Sequence, residues 1–336
     1  TLYNGNKRLK TIQQEKLNNQ VAELDVATSE NNIQESIAQV YIQILYAAES
    51  VKVNESTLQV SIAQRDRGQE LLNAGSIAKS DFAQLEAQVS TDRYQLVTAQ
   101  ATLEDYKLQL KQLLELDGEN EMNIYLPALS DENVLAPLPT KKDVYISALS
   151  LRPEIEASKL NVEASELGIG IAKSSYLPTI SLSAGIGTNH TSGSDFTFGE
   201  QVKNGWNNSI GLSVSVPIFN NRQTKSAVQK AKLQYETSML SLLDEQKTLY
   251  KTIEGLWLDA NSAQQRYAAA NEKLKSTQIS YELISEQFNL GMKNTIELLT
   301  EKNNLLQAQQ EQLQAKYMAI LNTQLLKFYQ GDQLAL

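Results

Sequence analysis

The chain has 336 residues, 30 of them basic and 39 acidic, which makes the formal net charge −9 at pH 7. An acidic chain without a cluster of Lys and Arg does not suit the phosphates of nucleic acid, so we expect no nucleic-acid binding. The sequence has no cysteine and one histidine, which excludes thiol nucleophiles, disulfides and thiolate metal sites. We therefore expect no enzyme, with no catalytic residue, no cofactor and no metal site.

The sequence lacks the apolar signals of a membrane-spanning helix. No stretch reaches the ~18 apolar residues that such a helix needs. Residues 1–10 are polar and lack the apolar core of a signal peptide. A role in a membrane would therefore require β-strands.

Residues 1–117 predict a helical hairpin. No proline interrupts residues 6–73, and apolar residues there recur at steps of three and four, as in a coiled-coil seam. At 1.5 Å per residue, such a helix is ~100 Å long. Gly75 marks the turn, and a return helix follows over about 78–116. Because the return helix covers only part of the long one, we expect another subunit or a missing segment to cover the remainder.

The middle of the chain predicts an irregular connector followed by a helix. Residues 118–140 contain three prolines and predict an irregular connector with a short strand at about 123–126. A helix follows over 141–174. Pro153 predicts a break near Leu151, because proline suits the first turn of a helix.

Residues 175–219 predict a β-hairpin with one apolar face and an external loop at about 189–205. Apolar side chains alternate there with Ser, Thr and Gly, and both runs reach the ~9 to 11 residues of a transmembrane strand. A hairpin packed on a soluble core would show the same alternation, so both interpretations stay open. Two strands are not stable alone in water or lipid, and we expect them to pair with strands from elsewhere. The predicted lipid-facing residues are Ile180, Leu182, Ala184, Ile186, Ile210, Leu212, Val214 and Val216.

Residues 220–336 predict a second helical hairpin that repeats the first. Its long helix is expected over 222–289, its turn at Gly291 and its return helix over about 294–330. A shift of 216 positions aligns the two hairpins without gaps. Among the identical pairs are Leu17 with Leu233, Ala47 with Ala263, Gly75 with Gly291, and Leu110 with Leu326.

Four short segments, taken together and in their order along the chain, form a specific sequence pattern. They are Asn73–Phe82 at the first turn, Leu151–Ile155 and Tyr176–Ile180 around the helix that leads into the first strand, and Val216–Asn221 after the second strand. In this order they resemble the TolC-like outer-membrane efflux and secretion channel family. The resemblance covers essentially the whole chain.

This resemblance implies a mainly α fold with a membrane β part. Long coiled-coil hairpins would form a trimeric α-barrel, the β-hairpins would form a twelve-stranded transmembrane β-barrel, and 118–140 would be an equatorial connector. It implies a homotrimer in the outer membrane of a Gram-negative bacterium, contacting outer membrane lipid and extending into the periplasm. The subunit would be a passive exit duct for drugs, small molecules or proteins in a tripartite efflux pump or type I secretion system. Its partners would be a periplasmic adaptor (membrane fusion) protein and an inner-membrane pump of the RND or ABC type.

The two turns are the predicted functional ends. By resemblance, the turn residues would meet the adaptor or the neighbouring tip, although the glycines also suit simple turns. Acidic residues near the second turn are predicted to line a lumen constriction, and solvated helix faces carry such charges as well. The tip residues are Asn73, Gly75, Ser76, Ser80, Asp81, Asn289, Gly291 and Asn294, and the acidic ones are Glu282, Glu286, Glu297 and Glu301.

Two further expectations concern the extent of the chain and its class. Thr1 corresponds to Pro217 at the repeat offset, so the first copy lacks a counterpart of residues 140–216, and we expect the chain to be a fragment. The alternative hypothesis is a soluble periplasmic coiled-coil adaptor or scaffold. An adaptor would usually carry one hairpin between β-rich domains, whereas this hairpin is duplicated.

Overall fold

The computed structural model describes residues 1–116, 124–125, 127 and 134–334, and most of them are helical. The strand expected at about 123–126 lies largely outside these residues. Within them, no helix combines the length and the apolar character required to cross a membrane. The elements are α1 (Lys7–Asn73), α2 (Lys79–Leu113), α3 (Lys141–Leu151), α4 (Pro153–Lys173), β1 (Thr179–Gly187), α5 (Phe198–Asn204), β2 (Asn207–Ser215), α6 (Gln223–Asn289) and α7 (Thr295–Gln330).

The two hairpins repeat each other in backbone conformation. Helices α1 and α6 are each 67 residues long and begin and end 216 positions apart, and α2 and α7 begin at the same separation. Left-handed residues follow the helices at matching positions, Gly75 with Gly291 and Glu115 with Gly331. The repeat detected in the sequence is therefore also a repeat of helix bounds and turn geometry.

One compact unit comprises residues 1–28 and 152–248. In it, α4 contacts the beginnings of both long helices: Gln14 of α1 donates a hydrogen bond to the Ala164 carbonyl at 2.8 Å, and the hydroxyls of Ser165 and Ser238 are 2.8 Å apart. We expected another subunit or a missing segment to cover this part of the long helices. In the structure, α4 of the same chain covers part of it.

The strands β1 and β2 form an antiparallel pair in this unit, in a register that aligns their apolar residues. Ile180 is opposite Val214, Leu182 opposite Leu212, and Ala184 opposite Ile210. Because side chains alternate between the faces of a sheet, these residues share one face. That face is open, and Ile210 is 84% exposed. Val216, predicted within the second strand, follows its last residue.

The loop between β1 and β2, predicted over about 189–205, contains a short helix, α5, that the sequence analysis did not predict. Thr197 accepts the N–H of Glu200, and the Glu200 carboxylate accepts the N–H of Thr197 at 2.9 Å. This reciprocal pair is a capping box, and its Thr-x-x-Glu pattern stands in the sequence.

The other compact unit comprises residues 29–151 and 249–336. Its core brings the two hairpins together, with Ile42 and Leu45 of α1, Tyr267 of α6, and Leu313 and Tyr317 of α7 in one buried apolar cluster. The boundary between the two compact units falls within both long helices. The units therefore differ from the consecutive segments of the chain that the sequence suggests. The physical reason is that each long helix changes packing partners along its length.

The chain breaks between α3 and α4 at Arg152, next to the predicted position. Pro153 occupies the first turn of α4, where its missing N–H costs nothing, and Arg152 has extended backbone. The helix expected over 141–174 is therefore two helices, Lys141–Leu151 and Pro153–Lys173.

Two helical glycines give a matched test of packing in the second unit. A Cβ at Gly68 would be 2.3 Å from Cδ1 of Leu85, a buried residue of α2, whereas a Cβ at Gly255 would have no atom within 4 Å. We expect Gly68→Ala to lower the free energy of unfolding by ~1–3 kcal/mol through overpacking. Gly255→Ala should raise it by ~0.5–1 kcal/mol through helix propensity. Urea unfolding of the purified protein measures both, and equal effects of the two substitutions would contradict the close approach of α1 and α2.

Candidate functional site at the hairpin tips

The two turns have the same geometry. Gly75 and Gly291 have φ of 71° and 73°, and the following N–H groups donate to carbonyls five residues back, Ser76 to Leu71 and Met292 to Gln287, each at 2.8 Å. This is the Schellman termination of a helix. A Cβ at either glycine would meet nothing within 4 Å. Glycine is therefore required for its left-handed backbone and not for lack of space.

Most of the predicted tip residues lie at the surface. The exposed ones are Asn73, Gly75, Ser76, Ser80, Asn289, Gly291 and Asn294, whereas Asp81 is half-buried.

Three of the predicted residues cap the return helices. The Asn294 side chain accepts the N–H of Glu297 at 2.9 Å, and the Glu297 carboxylate accepts the N–H of Asn294 at 3.2 Å. In the first hairpin, Ala78 stands where Asn294 stands, so only one half forms, from the Ala78 N–H to Asp81. Asp81 and Glu297 thus share one role at the start of α2 and α7.

The acidic residues predicted for a constriction have different surroundings. A hydrogen bond from Lys293, and then the backbone N–H of Asn294, hold the pKa of Glu297 below its usual value. Glu301 accepts a hydrogen bond from the Ser280 hydroxyl at 3.1 Å, which connects α7 to α6. The other two lie on α6, where Glu282 accepts from Gln278 at 2.6 Å and Glu286 is exposed.

A buried polar cluster that the sequence analysis missed connects the two hairpins. The Lys302 ammonium of α7 donates to Ser61 of α1 and to Asp92 of α2, and the Ser61 hydroxyl also donates to Asp92. Gln88 donates to the second carboxylate oxygen at 2.8 Å. The three clustered side chains are 3% exposed or less. Burial lowers the pKa of Lys302, and the hydrogen bond and charge of Asp92 oppose that shift.

The sequence carried a signal for this cluster. The apolar seams of α2 and α7 each skip a turn, from Val89 to Leu96 and from Leu298 to Leu305, and Asp92 and Lys302 lie in those gaps. The cluster has no counterpart in the repeat: at the offset of 216, Asp92 corresponds to Ala308 and Lys302 to Glu86. The hairpins therefore share a backbone but not this contact.

The second tip also presents apolar side chains that the sequence analysis did not select. Leu290, Met292 and Ile296 are 70%, 71% and 61% exposed. Their counterparts in the first tip are the small residues Ala74, Ser76 and Ser80. Exposed apolar side chains at one end of a protein commonly mark a contact with another protein.

The described residues contain no group of three or more His, Cys, Asp or Glu side chains arranged to hold a metal ion. The tips instead combine helix caps, an acidic surface and an apolar patch.

The sequence model of the family described as outer membrane efflux protein matches residues 144–331. The outer membrane protein TolC of Escherichia coli is 23% identical over 311 residues, which are 90% of this chain and 62% of TolC. The outer membrane efflux protein BepC of Brucella suis is 24% identical over 294 residues, 87% of this chain and 61% of BepC. The chain therefore spans about three fifths of the length of these relatives.

A solved structure with the same fold is the CmeC outer membrane channel of Campylobacter jejuni. Its TM-score is 0.81 at 19% identity, and the match covers 98% of this chain and 69% of CmeC. At 19% identity, this structural similarity establishes a shared fold only.

Exchanging the two capping arrangements tests the role of the residues that begin the return helices. We expect Asn294→Ala to cost ~1 kcal/mol of unfolding free energy, because the N–H of Glu297 loses its acceptor. Ala78→Asn should gain up to a similar amount, since Ala78 has the extended backbone of a cap, with φ −79° and ψ 158°. Thermal unfolding measures both, and a loss of stability in Ala78→Asn would contradict the assignment.

Removing the charge of Asp92 tests the buried cluster. Asp92→Asn leaves the Lys302 ammonium buried without a carboxylate, and we expect a loss of ~3–5 kcal/mol. Because the pKa of Lys302 is already lowered by burial, this loss should shrink as pH rises through that pKa and the amine becomes neutral.

Two further variants serve as controls for this measurement. The double variant Asp92→Leu with Lys302→Met should lose less than the single variant, because no charge stays buried. Asp105→Asn, on the exposed side of α2, should change stability by less than ~0.5 kcal/mol. Equal losses in Asp92→Asn and Asp105→Asn, measured by urea unfolding, would rule out the buried ion pair as a stabilising contact.

Proposed function

Because the family model covers more than half of the chain, the protein belongs to the outer membrane efflux protein family, and we propose that it is a subunit of an outer-membrane channel. In this proposal it is the passive exit duct of a tripartite efflux pump or type I secretion system. It acts in the outer membrane of a Gram-negative bacterium as a homotrimer. Drugs, small molecules or proteins pass through it.

The observation that carries the proposal is the duplicated hairpin with 67-residue helices at a fixed offset. Equivalent long helices that pack side by side can form the wall of a channel. Gln, Asn, Ser and Thr on the helix faces away from the apolar seams make the surface of that wall hydrophilic. Transport through such a wall needs no chemistry within the chain. The sequence has no Gly-x-x-x-x-Gly-Lys-Ser/Thr loop for a nucleotide, and we assign the energy source to an inner-membrane pump of the RND or ABC type.

The open apolar face of β1 and β2 supports the membrane part of the proposal. Leu182, Ile210 and Leu212 are 53%, 84% and 67% exposed. Apolar residues at every second position suit lipid contact, and a two-stranded sheet needs further strands to close its edges in a membrane. We propose that this hairpin contributes to a transmembrane β-barrel built with other strands of the trimer.

We propose that the tips bind a periplasmic adaptor protein. The exposed turns support this, as does the apolar patch of Leu290, Met292 and Ile296. In the same proposal the acidic residues of the second tip narrow the lumen, with Glu282 and Glu286 at the solvent-exposed surface of α6. Asp81 and Glu297 first serve as helix caps, so their substitution would affect helix starts as well as contacts.

A soluble periplasmic adaptor or scaffold is the alternative function. The two relatives and the solved structure reported above are an outer membrane protein, an outer membrane efflux protein and an outer membrane channel, and none of them favours that alternative.

Substituting both turn glycines tests the role of the tips. Proline holds φ near −65° and has no N–H, whereas Gly75 and Gly291 have φ above 70° and donate to Leu72 and Phe288 at 3.0 and 2.9 Å. We expect Gly75→Pro with Gly291→Pro to abolish drug resistance of cells that depend on this channel, while trimers stay in the outer membrane. Drug susceptibility and unheated gels of outer-membrane fractions provide the two measurements.

The matched control is Gly193→Pro, which replaces a glycine of similar backbone, with φ of 83°, in the loop between β1 and β2. Resistance should persist in this variant. Normal resistance in the double tip variant would contradict the proposed role of the turns.

A further inference from the structure

Three helix ends lie at the same end of the β-hairpin, where Thr179 of β1 is opposite Ser215 of β2. Helix α4 ends six residues before β1, and α6 begins eight residues after β2. Tyr3, four residues before α1, pairs with Ile180 at the same place. All of these segments belong to the compact unit that contains the strands. The start of α1, the end of α4 and the start of α6 are therefore close to this end of the strands.

Direct contacts hold these helix ends together. The Lys10 ammonium of α1 donates a hydrogen bond to the Gly170 carbonyl of α4 at 3.3 Å. A Cβ at Gly5 would be 2.9 Å from the carbonyl oxygen of Ser174, directly after α4. The hydrogen bond between Ser165 and Ser238 joins α4 to α6 in the same way. The three helices thus leave the strands side by side.

The parts of these helices next to the strands carry basic residues and no acidic ones. Residues 1–14, 167–187 and 206–235 contain no Asp or Glu, in a chain with a net charge of −9. Seven of their eight Lys and Arg side chains are exposed and one is half-buried. Within the part of the chain that the structure describes, none of the eight forms an ion pair with a carboxylate. We call these residues the basic band: Lys7, Arg8, Lys10, Lys173, Arg222, Lys225, Lys230 and Lys232.

Helix stability does not account for the basic band. The start of a helix is the positive end of its dipole and favours Asp and Glu. The first turns of α1 and α6 contain no acidic residue, and Lys7, Arg8 and Lys225 add positive charge there. Lys173, at the end of α4, is the one member that suits its helix dipole. The charges at the two helix starts therefore call for another source of stabilisation, and anions at the surface would supply it.

Aromatic side chains lie between the strands and the basic band. Tyr3, Tyr176 and Phe219 are 40%, 54% and 82% exposed. In membrane proteins, aromatic side chains at strand ends occupy the interface between hydrocarbon and headgroups. From the strands towards the helices, the surface of this unit therefore changes from apolar to aromatic to basic. A bilayer with anionic lipids has the same order, from its hydrocarbon core through the interface to its charged surface.

We propose that the basic band binds the headgroups of anionic phospholipids, on the side of the membrane to which the helices extend. This rests on the proposed membrane contact of β1 and β2, and it names the lipid class that meets the adjacent helices. The ammonium and guanidinium groups would donate charge-assisted hydrogen bonds to the phosphate oxygens of the lipids.

The extent of the basic band fits a layer of headgroups better than a single phosphate. Its members are distributed over three helices, and on α6 they extend from Arg222 to Lys232. These ten residues correspond to ~15 Å along a helix. Attraction to a charged surface fades within a Debye length, ~8 Å at physiological ionic strength. Acidic residues return beyond this region, at Glu15, Glu166 and Glu236.

Lipid selectivity tests the proposal. The sequence has no cysteine, so the whole protein with Ser226→Cys, beside Lys225, can be labelled with one fluorophore and reconstituted into phosphatidylcholine vesicles. A small part of the lipid carries a quencher near the headgroup end of its acyl chain, on either phosphatidylglycerol or phosphatidylcholine. Because one basic residue near an anionic surface is equivalent to about a fivefold preference, we expect at least about fivefold stronger quenching by the phosphatidylglycerol form. Added NaCl should reduce this preference, since salt screens exposed charges.

Four substitutions to Gln in the basic band should remove the preference, and four in the other compact unit serve as the matched control. Each set replaces three Lys and one Arg, all exposed. The preference should disappear in the first set and persist in the second. The first set is Lys7, Arg8, Lys173 and Lys225, and the control set is Arg93, Lys142, Lys251 and Lys275.

Equal quenching by the two lipids in the protein with an intact basic band would overturn the proposal, as would the same preference in both Gln sets. A preference abolished by inorganic phosphate, but not by NaCl of equal ionic strength, would assign the basic band to a free anion instead. Flotation of the vesicles separates these results from a failure of the proposed function. Protein that floats with the vesicles without a lipid preference loses only this contact, whereas protein that does not float contradicts the membrane part of the proposed function as well.

Discussion

The structure depends on one constraint: a 67-residue helix cannot bury its apolar seam against a return helix of 35 or 36 residues. The seam therefore needs several partners along its length. Near the strands, α4 contacts both long helices. In the other unit, α7 packs with α1 and α6 in the buried apolar core, and its Lys302 contacts Ser61 of α1 and Asp92 of α2. Each long helix thus belongs to two compact units, and its far end carries the turn.

The two hairpins show how one backbone serves two environments. Their helix bounds and left-handed residues correspond, but their side chains differ where each meets a neighbour. The buried pair of Asp92 and Lys302 occurs once, and the equivalent positions are Ala308 and Glu86. Because a buried charge is destabilising without a partner of opposite charge, this difference distinguishes the packing of one hairpin from that of the other. The same asymmetry appears at the tips, where apolar Leu290 and Met292 replace small residues.

Helix and strand positions were predictable because they follow from local rules. The seam spacing, the glycine turns and Pro153 indicate helices whose observed bounds lie within a few residues of the expected ones. Helix α5 was missed although Thr197 and Glu200 carry a capping signal, because polar Gly- and Ser-rich composition outweighed a four-residue pattern. Lys302 and Asp92 were missed because a seam gap shows only that a polar residue is tolerated. Their pairing joins residues more than 200 positions apart.

The sequence by itself determined the duplicated hairpin, the position of its turns and the apolar face of the strands, since each depends on residues close together in the chain. The tertiary structure alone decided which hairpin face is covered, because that depends on which helix reaches it. It also decided that Lys302 is buried beside Asp92. These outcomes depend on distances between distant segments, which spacing along a chain does not specify.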